Sequence, residues 1–377
     1  MERQTEALTA VHHAEVVGSL LRPDELVAAR AEMRAGRLDP ADYRAIEDRA
    51  VDAALRLQED CGVDVVTDGE MRRDIFFDFL IKGVTGIVMQ PAYTVRFHDH
   101  TGEDRMSVQI PFSVAERISA LPCPAVEEFR YARERTSKPL KVTLPGPIMM
   151  LGLWGDVSRD AYPDPLELVA DAGAAIKRWM GELAEAGCTF IQLDMPDLID
   201  VYCDASVRAE YDERGIPSRE LIALGTDLAV EFGALELPGV KKAMHLCRGN
   251  GTEAWIAEGG YEDFSEHVFR RATGYDVFHL EYDDDRSGGF EPLANLPDDK
   301  VAALGLVSTK WTQMEDPAVL VARIEDAARY HPVERLALAP QCGFASASET
   351  AEQRRLTPET QEAKLRLVSE VAREVWG

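Results

Sequence analysis

Eight short apolar runs, rich in residues that favour strands, recur along the chain and are separated by longer segments with helical periodicity. This alternation predicts βα units and therefore a parallel sheet. The runs are Val16–Leu20, Val63–Thr67, Leu140–Leu144, Phe190–Asp194, Lys242–Cys247, Val277–Glu281, Val301–Ser308 and Leu336–Ala339. The predicted helices include Pro40–Asp60, Pro165–Ala186, Ser218–Leu235, Pro317–Tyr330 and Pro358–Val375.

The pattern predicts an α/β fold, a (β/α)8 TIM barrel, because closing eight parallel strands buries near-continuous apolar runs on both faces. An open doubly wound sheet is the alternative. That fold would favour a glycine-rich phosphate turn, and the chain contains no G-x-G-x-x-G pattern. Segment 82–138 is too long for a simple connection, and we interpret it as an insertion after the second strand, a lid or an oligomer contact. We expect residues 1–377 to form one domain.

The chain is strongly acidic, which limits the kinds of partner that it can bind. Its 41 basic and 67 acidic residues give a formal net charge of −26. Nucleic acid and membrane partners are not expected, because binding to phosphates needs clustered cations and no apolar run is long enough to span a bilayer. The segment Met1–Ala14 lacks a signal-peptide pattern. We therefore expect a cytoplasmic protein, and we also expect it to form a homo-oligomer.

Side chains that bind metals are concentrated at the carboxyl ends of the predicted strands, which form the active-site face of a barrel. His245 and Cys247 are two residues apart, so they share one face of an extended strand, and Cys342 follows the last strand. One imidazole and two thiolates suit tetrahedral zinc, with a fourth position open or held by a replaceable group such as Glu281. A cysteine in a barrel strand is more often an inert core residue. The coincidence at three strand ends favours the metal site.

The other cysteines have no ligand-type partner nearby, and the chain has no CxxC pair, so we interpret them as structural: Cys61, Cys123, Cys188 and Cys203. A zinc ion held by two thiolates and a neutral imidazole carries a net charge near zero. Such an ion is a poor Lewis acid for splitting water, but it stabilises an incoming thiol as an electron-rich thiolate. The predicted site therefore favours S-alkylation over hydrolysis.

Several motifs, in chain order, resemble the catalytic half of the cobalamin-independent methionine synthase family. They are Val17-Gly18-Ser19, Thr67-Asp68-Gly69-Glu70, Gly146-Pro147, Gln192-Leu193-Asp194, His245-Leu246-Cys247, Glu281 and Cys342-Gly343. The resemblance implies a TIM barrel in which zinc is held by His245, Cys247, Cys342 and Glu281 and activates a thiol. It also implies that Glu70 and Asp194 correspond to the carboxylates near the substrate, with Ser19 beside them.

The chain departs from that family in two respects. It has no additional N-terminal barrel, which puts methylfolate binding in doubt, and it reads Asp194-Met195-Pro196 where the family typically has Asp-Glu-Pro. The motifs His245-Leu246-Cys247-Arg248 and Pro340-Gln341-Cys342-Gly343 resemble a branch of short members that includes epoxyalkane:coenzyme M transferase. The resemblance therefore implies coenzyme M as the thiol co-substrate and a short-chain epoxide as the electrophile.

Coenzyme M carries a sulfonate, so its site needs cations, whereas a homocysteine site needs carboxylates for the amine. Five cations follow predicted strands and are candidate substrate-binding residues: Arg22, Arg72, Arg73, Arg248 and Lys310. Each could instead pair with a structural carboxylate. Trp154 and Met149 are candidates for the wall of an apolar pocket, although a core position is the usual fate of such residues.

We expect the thiolate to attack the less hindered epoxide carbon while Tyr282, Asp194 or a water protonates the alkoxide. A zinc methyltransferase that uses homocysteine or a related thiol is the first alternative. A non-catalytic zinc-binding protein and a metal-free decarboxylase-type barrel are the others. Metal content and the choice of thiol distinguish these hypotheses.

Overall fold

Short strands and longer helices alternate along the chain. The structure is a computed structural model that describes residues 10–350, 353–354 and 356–377; most of the segment Met1–Ala14 lies outside these residues. In this part of the chain the strands are β1 (Ile87–Val88), β2 (Thr94–His98), β3 (Asp104–Gln109), β4 (Ser113–Val114), β5 (Val142–Pro145), β6 (Phe190–Asp194), β7 (Lys241–Leu246), β8 (Val277–Glu281), β9 (Val301–Val307) and β10 (Leu336–Pro340).

The helices of the same residues are α1 (Asp24–Arg34), α2 (Pro40–Cys61), α3 (Phe79–Lys82), α4 (Ala125–Arg133), α5 (Pro165–Glu185), α6 (Pro196–Cys203), α7 (Ala205–Glu213), α8 (Ser218–Ala234), α9 (Glu262–Phe264), α10 (Pro317–Ala327) and α11 (Pro358–Trp376). Three long helices begin at an Asp-Pro pair. Asp39, Asp164 and Asp316 each accept a hydrogen bond from a first-turn amide, and the following proline is preset for the helix. This chemistry explains why the predicted starts at residues 40, 165 and 317 are confirmed.

Six strands form a continuous parallel sheet in the order β10-β9-β8-β7-β6-β5. Its two edges are joined through two short segments near residues 14 and 65. The amide of Leu338 donates to His13 and the amide of Glu15 donates to Leu338, while the amide of Asp64 donates to Ala14. On the far side, the amide of Val66 donates to Pro139 and that of Lys141 donates to Val66. Backbone hydrogen bonds therefore run round the whole ring, as in a closed α/β barrel.

The first two predicted strands are the exception, because Val16–Leu20 and Val63–Thr67 form no regular strands. Only isolated parallel bridges occur there, between Ala14 and Leu338 and between Val66 and Leu140. After each bridge the chain turns away from the sheet into the loops that surround the carboxyl ends. The predicted run Val63–Thr67 overlaps the segment that pairs, whereas Val16–Leu20 begins just after it, and the later residues of both runs belong to the site rather than to the sheet.

Two clusters of apolar side chains stabilise the barrel. Small and β-branched side chains, together with the Phe190 ring, line its interior; among them are Val65, Ala243, Val277, Ala303 and Ala337. A larger cluster packs the helices against the outside of the sheet. No described helix combines the length and apolar character needed to cross a membrane.

Segment 82–138 contains two antiparallel ladders, β1 with β4 and β2 with β3, followed by α4. The β2–β3 hairpin binds the loop after β7 through a two-way backbone bridge. The amide of His98 donates to the carbonyl of Trp255 at 2.7 Å, and the amide of Trp255 donates back at 3.0 Å. The hairpin therefore lies over the carboxyl end of the barrel.

Candidate metal centre and its cavity

Three side chains converge at the carboxyl end of the barrel. His245 is in β7, Cys247 follows that strand by one residue, and Cys342 follows β10 by two. Their ligand atoms all lie within 4.8 Å of one another, and the two sulfurs are 3.7 Å apart. All three residues are buried. The ligand set predicted from the strand ends thus comes together in three dimensions.

The spacing of these atoms fits zinc. Two Zn–S bonds of about 2.3 Å at a tetrahedral angle put their sulfurs about 3.8 Å apart, close to the separation here. The Nδ1 of His245 is 2.9 Å from a carboxylate oxygen of Asp194, whereas its Nε2 is buried without a hydrogen-bond partner. A carboxylate that holds one ring nitrogen and leaves the other for the metal is the usual arrangement of a zinc-binding histidine. The residues present therefore fit a zinc ion.

The electrostatics of the group also favour a cation. Burial disfavours a charged imidazole, but the Cys247 sulfur and the Asp194 carboxylate outweigh it and raise the pKa of His245 to about 10. The Cys342 thiol and then burial raise the pKa of Cys247 well above its ordinary value. A divalent ion would relieve both effects, since it stabilises thiolates and replaces the proton on the imidazole.

Glu281 lies outside this three-residue group. One carboxylate oxygen accepts from the backbone amide of Arg248 at 2.6 Å, and the other is 2.7 Å from Lys310 Nζ and 3.1 Å from Arg286. Burial opposes ionisation, but Lys310, Arg248 and Arg286 together lower the pKa of Glu281 to about 2. Both carboxylate oxygens of Glu281 therefore already have partners within the protein in this conformation.

A cavity of about 210 Å³ adjoins the three ligands and contains three of the predicted substrate residues, Ser19, Glu70 and Asp194. Glu70 follows the turn at Gly69, and Glu70 itself has a positive φ of 56°. Its carboxylate accepts a hydrogen bond from the Thr143 hydroxyl at 2.7 Å. Gly18 lies close to the Glu70 carboxylate: a Cβ added at Gly18 would be 2.9 Å from it. Burial raises the pKa of Glu70, although Arg73 and Arg22 oppose this.

Three further acidic residues line the cavity and were not predicted from the sequence: Asp197, Asp200 and Glu349. Asp197 and Asp200 lie in α6, immediately after the Asp194-Met195-Pro196 motif, and both line the cavity. Each has a buried carboxylate oxygen with no hydrogen-bond partner. The signal available in the sequence was their spacing of three residues in a helix that begins at a strand end.

The four predicted substrate-binding arginines do not line the cavity. Arg22 is 3.9 Å from Glu70 and donates to the carbonyl of Ala345, while Arg73 pairs with Glu70 and Glu128. Arg72 and Arg248 also have internal partners: Asp48 and the Tyr131 ring for Arg72, and the Gly259 carbonyl and Tyr261 hydroxyl for Arg248. Structural pairing accounts for all four.

Lys310 does line the cavity, but it forms ion pairs with Glu281 at 2.7 Å and Asp283 at 3.1 Å. Trp154 and Tyr282 do not line it. The Trp154 indole donates to the carbonyl of Tyr162, whereas Met149, the other candidate for the wall, does line the cavity. Tyr282 is buried against Phe290, with ring centroids 4.7 Å apart.

The β2–β3 hairpin forms the apolar roof of the cavity. Val95 pairs with Val108 and Phe97 pairs with Met106 across the ladder, and all four line the cavity together with Ile110. The outward residues are polar, so the hairpin follows the alternation of a strand with one apolar face, and this face is only partly buried. The sequence predicted no more than a lid in this segment. The apolar roof, which closes the site opposite the acidic residues, exists only once the two strands pair.

Comparisons with known proteins agree with the family resemblance of the sequence motifs. The family described as "Cobalamin-independent synthase, Catalytic domain" matches residues 13–228, a range that includes Ser19, Glu70 and Asp194. A protein of Bacillus subtilis (strain 168), called "Uncharacterized protein YxjG", is 34% identical over 376 residues, covering 96% of this chain and 94% of the relative.

A methionine synthase of Thermococcus kodakarensis is 25% identical over 335 residues, 87% of this chain and 85% of that protein. The structure of a B12-independent methionine synthase from Shewanella sp. W3-18-1, in complex with selenomethionine, superposes with a TM-score of 0.73 at 21% identity, covering 97% of this chain and 98% of that one. The shared architecture and the extent of the match lead to one conclusion: the chain belongs to the cobalamin-independent synthase catalytic-domain family.

Proposed function

We propose that this protein is a zinc-dependent enzyme that transfers an alkyl group to the sulfur of homocysteine or a closely related amino thiol. The observation that carries the proposal is the convergence of His245, Cys247 and Cys342 beside an acid-lined cavity. Methyl is the transferred group that we propose, because the relative from Thermococcus kodakarensis is named a methionine synthase.

Each part of the site has a role in this reaction. When bound, zinc with two thiolate ligands lowers the pKa of a coordinated thiol yet leaves its sulfur nucleophilic. Asp194 holds His245 in the tautomer whose Nε2 is free. The carboxylates of the cavity attract the ammonium group of the amino thiol, and the hairpin roof excludes water from the reacting sulfur.

In the sequence, the cations at the strand ends favoured coenzyme M as the thiol. The geometry of the cavity supports coenzyme M less well than an amino thiol. Among the described residues that line the cavity, the long cationic side chains are Lys310 and Arg354. Lys310 is paired with Glu281 and Asp283, and Arg354 is 2.9 Å from Asp24. A sulfonate would therefore meet carboxylates rather than free cations, which disfavours it.

A direct competition between the two thiols tests the proposal. The zinc-loaded protein is incubated with methyl iodide plus homocysteine and, separately, with epoxypropane plus coenzyme M, and the thioether products are quantified above the uncatalysed rate. We expect saturable formation of methionine that is lost in Cys342→Ala. Cys123→Ala is the matched control, because Cys123 is a buried cysteine that is not part of the ligand group.

Catalysis only with epoxypropane and coenzyme M would replace this proposal by the epoxide reaction. A bound zinc that accepts neither thiol would instead indicate a non-catalytic zinc protein. Full activity in metal-free protein would contradict any role for zinc.

A further inference from the structure

The two cysteines of the metal centre lie on loops that the sheet does not join directly. Cys247 follows β7 by one residue and Cys342 follows β10 by two, and β8 and β9 lie between these two strands in the sheet. Backbone pairing therefore fixes the strands, but it does not by itself fix the distance of 3.7 Å between the two sulfurs. Because this distance decides whether one zinc ion can bind both sulfurs, a direct contact between the loops is needed to set it.

Asn250 makes this contact. It lies on the loop after β7, three residues past the first cysteine, and its Nδ2 donates to the carbonyl of Gly343 at 3.0 Å. Its Oδ1 accepts from Nε2 of Gln341 at 3.0 Å, and its backbone carbonyl accepts from the Ser346 hydroxyl at 3.3 Å. Gln341 and Gly343 are the residues on either side of Cys342, so one carboxamide holds the second cysteine from both directions.

The loop after β9 adds a third member to this arrangement. The backbone amide of Thr309 donates to Oε1 of Gln341 at 2.7 Å, and the Thr309 hydroxyl is 2.8 Å from the same oxygen. The donor and the acceptor of both carboxamides therefore have partners, and both Gln341 and Thr309 are buried. A buried polar network whose groups are all satisfied is rigid. We call Asn250, Gln341 and Thr309 the loop brace.

The backbone before Asn250 is suited to this contact. Gly249 has a φ of 82°, in the left-handed region that glycine adopts readily, and the resulting turn directs Asn250 toward the loop after β10. A Cβ added at Gly249 would be 2.7 Å from Ile256, so the turn also packs closely against its own loop. Asn250 and Gln341 thus belong to the same two sequence segments that supply the cysteines.

Sulfurs that are already in place bind zinc more tightly than sulfurs on loose loops, because less conformational entropy is lost when the ion binds. The observed separation of 3.7 Å is close to the distance of about 3.8 Å between two sulfurs on one tetrahedral zinc ion. Asn250 lines the cavity, but both polar atoms of its side chain already have protein partners. Its role is therefore to hold the ligands rather than to be one.

We propose that Asn250 is a positioning residue that, through Gln341 and Gly343, sets the separation of the two thiolates of the zinc centre. This inference rests on the zinc centre of the proposed function and extends it to side chains that do not bind the metal. The loop brace acts on zinc affinity rather than on the fold, because the sheet that carries these loops is closed without it.

The zinc affinity of brace variants tests the proposal. Dissociation constants are measured by competition with a chelator for wild type, Asn250→Ala, Gln341→Ala and the double variant. We expect each single substitution to raise the zinc dissociation constant about 10- to 100-fold, as for other groups that orient metal ligands. The double variant should lose little more than the weaker-binding single variant, because both substitutions break the same hydrogen bond.

Asn295→Ala is the matched control. Asn295 is also partly buried and also joins separate segments, since it accepts from Arg270 at 3.0 Å and donates to Ser265 at 2.8 Å. It does not line the cavity. We expect Asn295→Ala and Asn250→Ala to lower the melting temperature of the zinc-free protein to a similar extent, whereas the zinc dissociation constant rises in Asn250→Ala alone.

Circular dichroism identifies a variant that fails to fold. If Asn250→Ala does so, Asn250→Asp supplies the measurement, because it keeps the shape of the side chain and loses the Nδ2 donor. Its added negative charge would by itself favour zinc, so a weaker affinity reports the lost hydrogen bond. Wild-type zinc affinity in folded Asn250 variants, or single effects that multiply in the double variant, overturns the loop brace while the proposed function stands. A wild type that binds no zinc contradicts the proposed function itself.

Discussion

Asp194 determines which nitrogen of His245 can meet a metal. Its carboxylate is hydrogen-bonded to Nδ1 at 2.9 Å and also accepts from the Gln192 amide at 2.7 Å, so its position is fixed from two sides. The proton is then held on Nδ1 and the lone pair of Nε2 is directed to the sulfurs. The metal site is thus prepared by a residue that does not belong to the ligand group.

This role predicts the effect of Asp194→Asn. The amide has no negative charge and can donate to Nδ1, which would favour the wrong tautomer. We expect the zinc dissociation constant to rise about 10- to 100-fold, as for other carboxylate partners of metal-bound histidines. Competition with a chromophoric chelator measures this change. Asp160→Asn, the same substitution at an exposed position, is expected to leave zinc affinity unaltered, and an unaltered affinity in Asp194→Asn would contradict the assignment.

At the scale of secondary structure, the roof of the site depends on how closely β2–β3 approaches the loop after β7. Gly251 permits this approach, because a Cβ there would lie 3.0 Å from Phe97 and 3.1 Å from Met106. The hairpin is held further by the backbone bridge between His98 and Trp255. A two-stranded hairpin has little stability of its own, so its position depends on these contacts.

We therefore expect Gly251→Ala to loosen the hairpin without unfolding the barrel. Overpacking of this kind costs roughly 1–3 kcal/mol, and the cost falls on the contact between the hairpin and the loop. Hydrogen exchange should quicken at the amides of His98 and Trp255 and stay slow in β6. Gly152→Ala is the matched control, since nothing lies within 4 Å of its added Cβ. Equal protection at His98 in both variants would argue against a tightly packed roof.

The six central strands and the long helices could be predicted from the sequence because their apolar periodicity and Asp-Pro starts are local signals. The strand predicted at Val16–Leu20 is wrong, because the chain pairs with β10 at residues 13–15 instead, and these residues form no apolar run. The metal ligands were also predictable, since strand ends meet at one face of the barrel.

The cations could not be assigned correctly from sequence. An arginine after a strand looks the same whether it faces a substrate or, as Arg73 does, a buried Glu128 that is distant in the sequence. Likewise, Glu281 pairs with Lys310, which is 29 residues away in sequence, only because the ends of β8 and β9 are neighbours in the sheet. Asp197 and Asp200 were visible as an acidic pair, but only the cavity distinguishes them from solvated residues.

At the scale of the whole molecule, the barrel is closed by backbone hydrogen bonds, and its interior holds apolar side chains together with the buried Glu15–Lys141 ion pair. The metal ligands lie at the carboxyl end of this ring: His245 near the end of β7, and the two cysteines in the segments that follow β7 and β10. Stability of the fold should therefore be largely independent of the ion, in contrast to small domains that fold around zinc.

Removal of zinc with a chelator is accordingly expected to lower the melting temperature by roughly 5 °C, because a bound ligand adds stability by mass action only. The far-ultraviolet circular dichroism of the metal-free protein should remain that of the native fold, and zinc should restore the original midpoint. Loss of helical signal on chelation would mean that the ion holds the barrel together.

The central claim is that His245, Cys247 and Cys342 hold one zinc ion with a position left for a substrate thiol. X-ray absorption at the zinc edge, recorded before and after addition of homocysteine, tests it most directly. We expect two sulfur neighbours in the resting protein, about 2.3 Å from zinc, and a third when homocysteine is present. A coordination shell with two sulfurs that does not change with thiol, or a shell without sulfur, would contradict it.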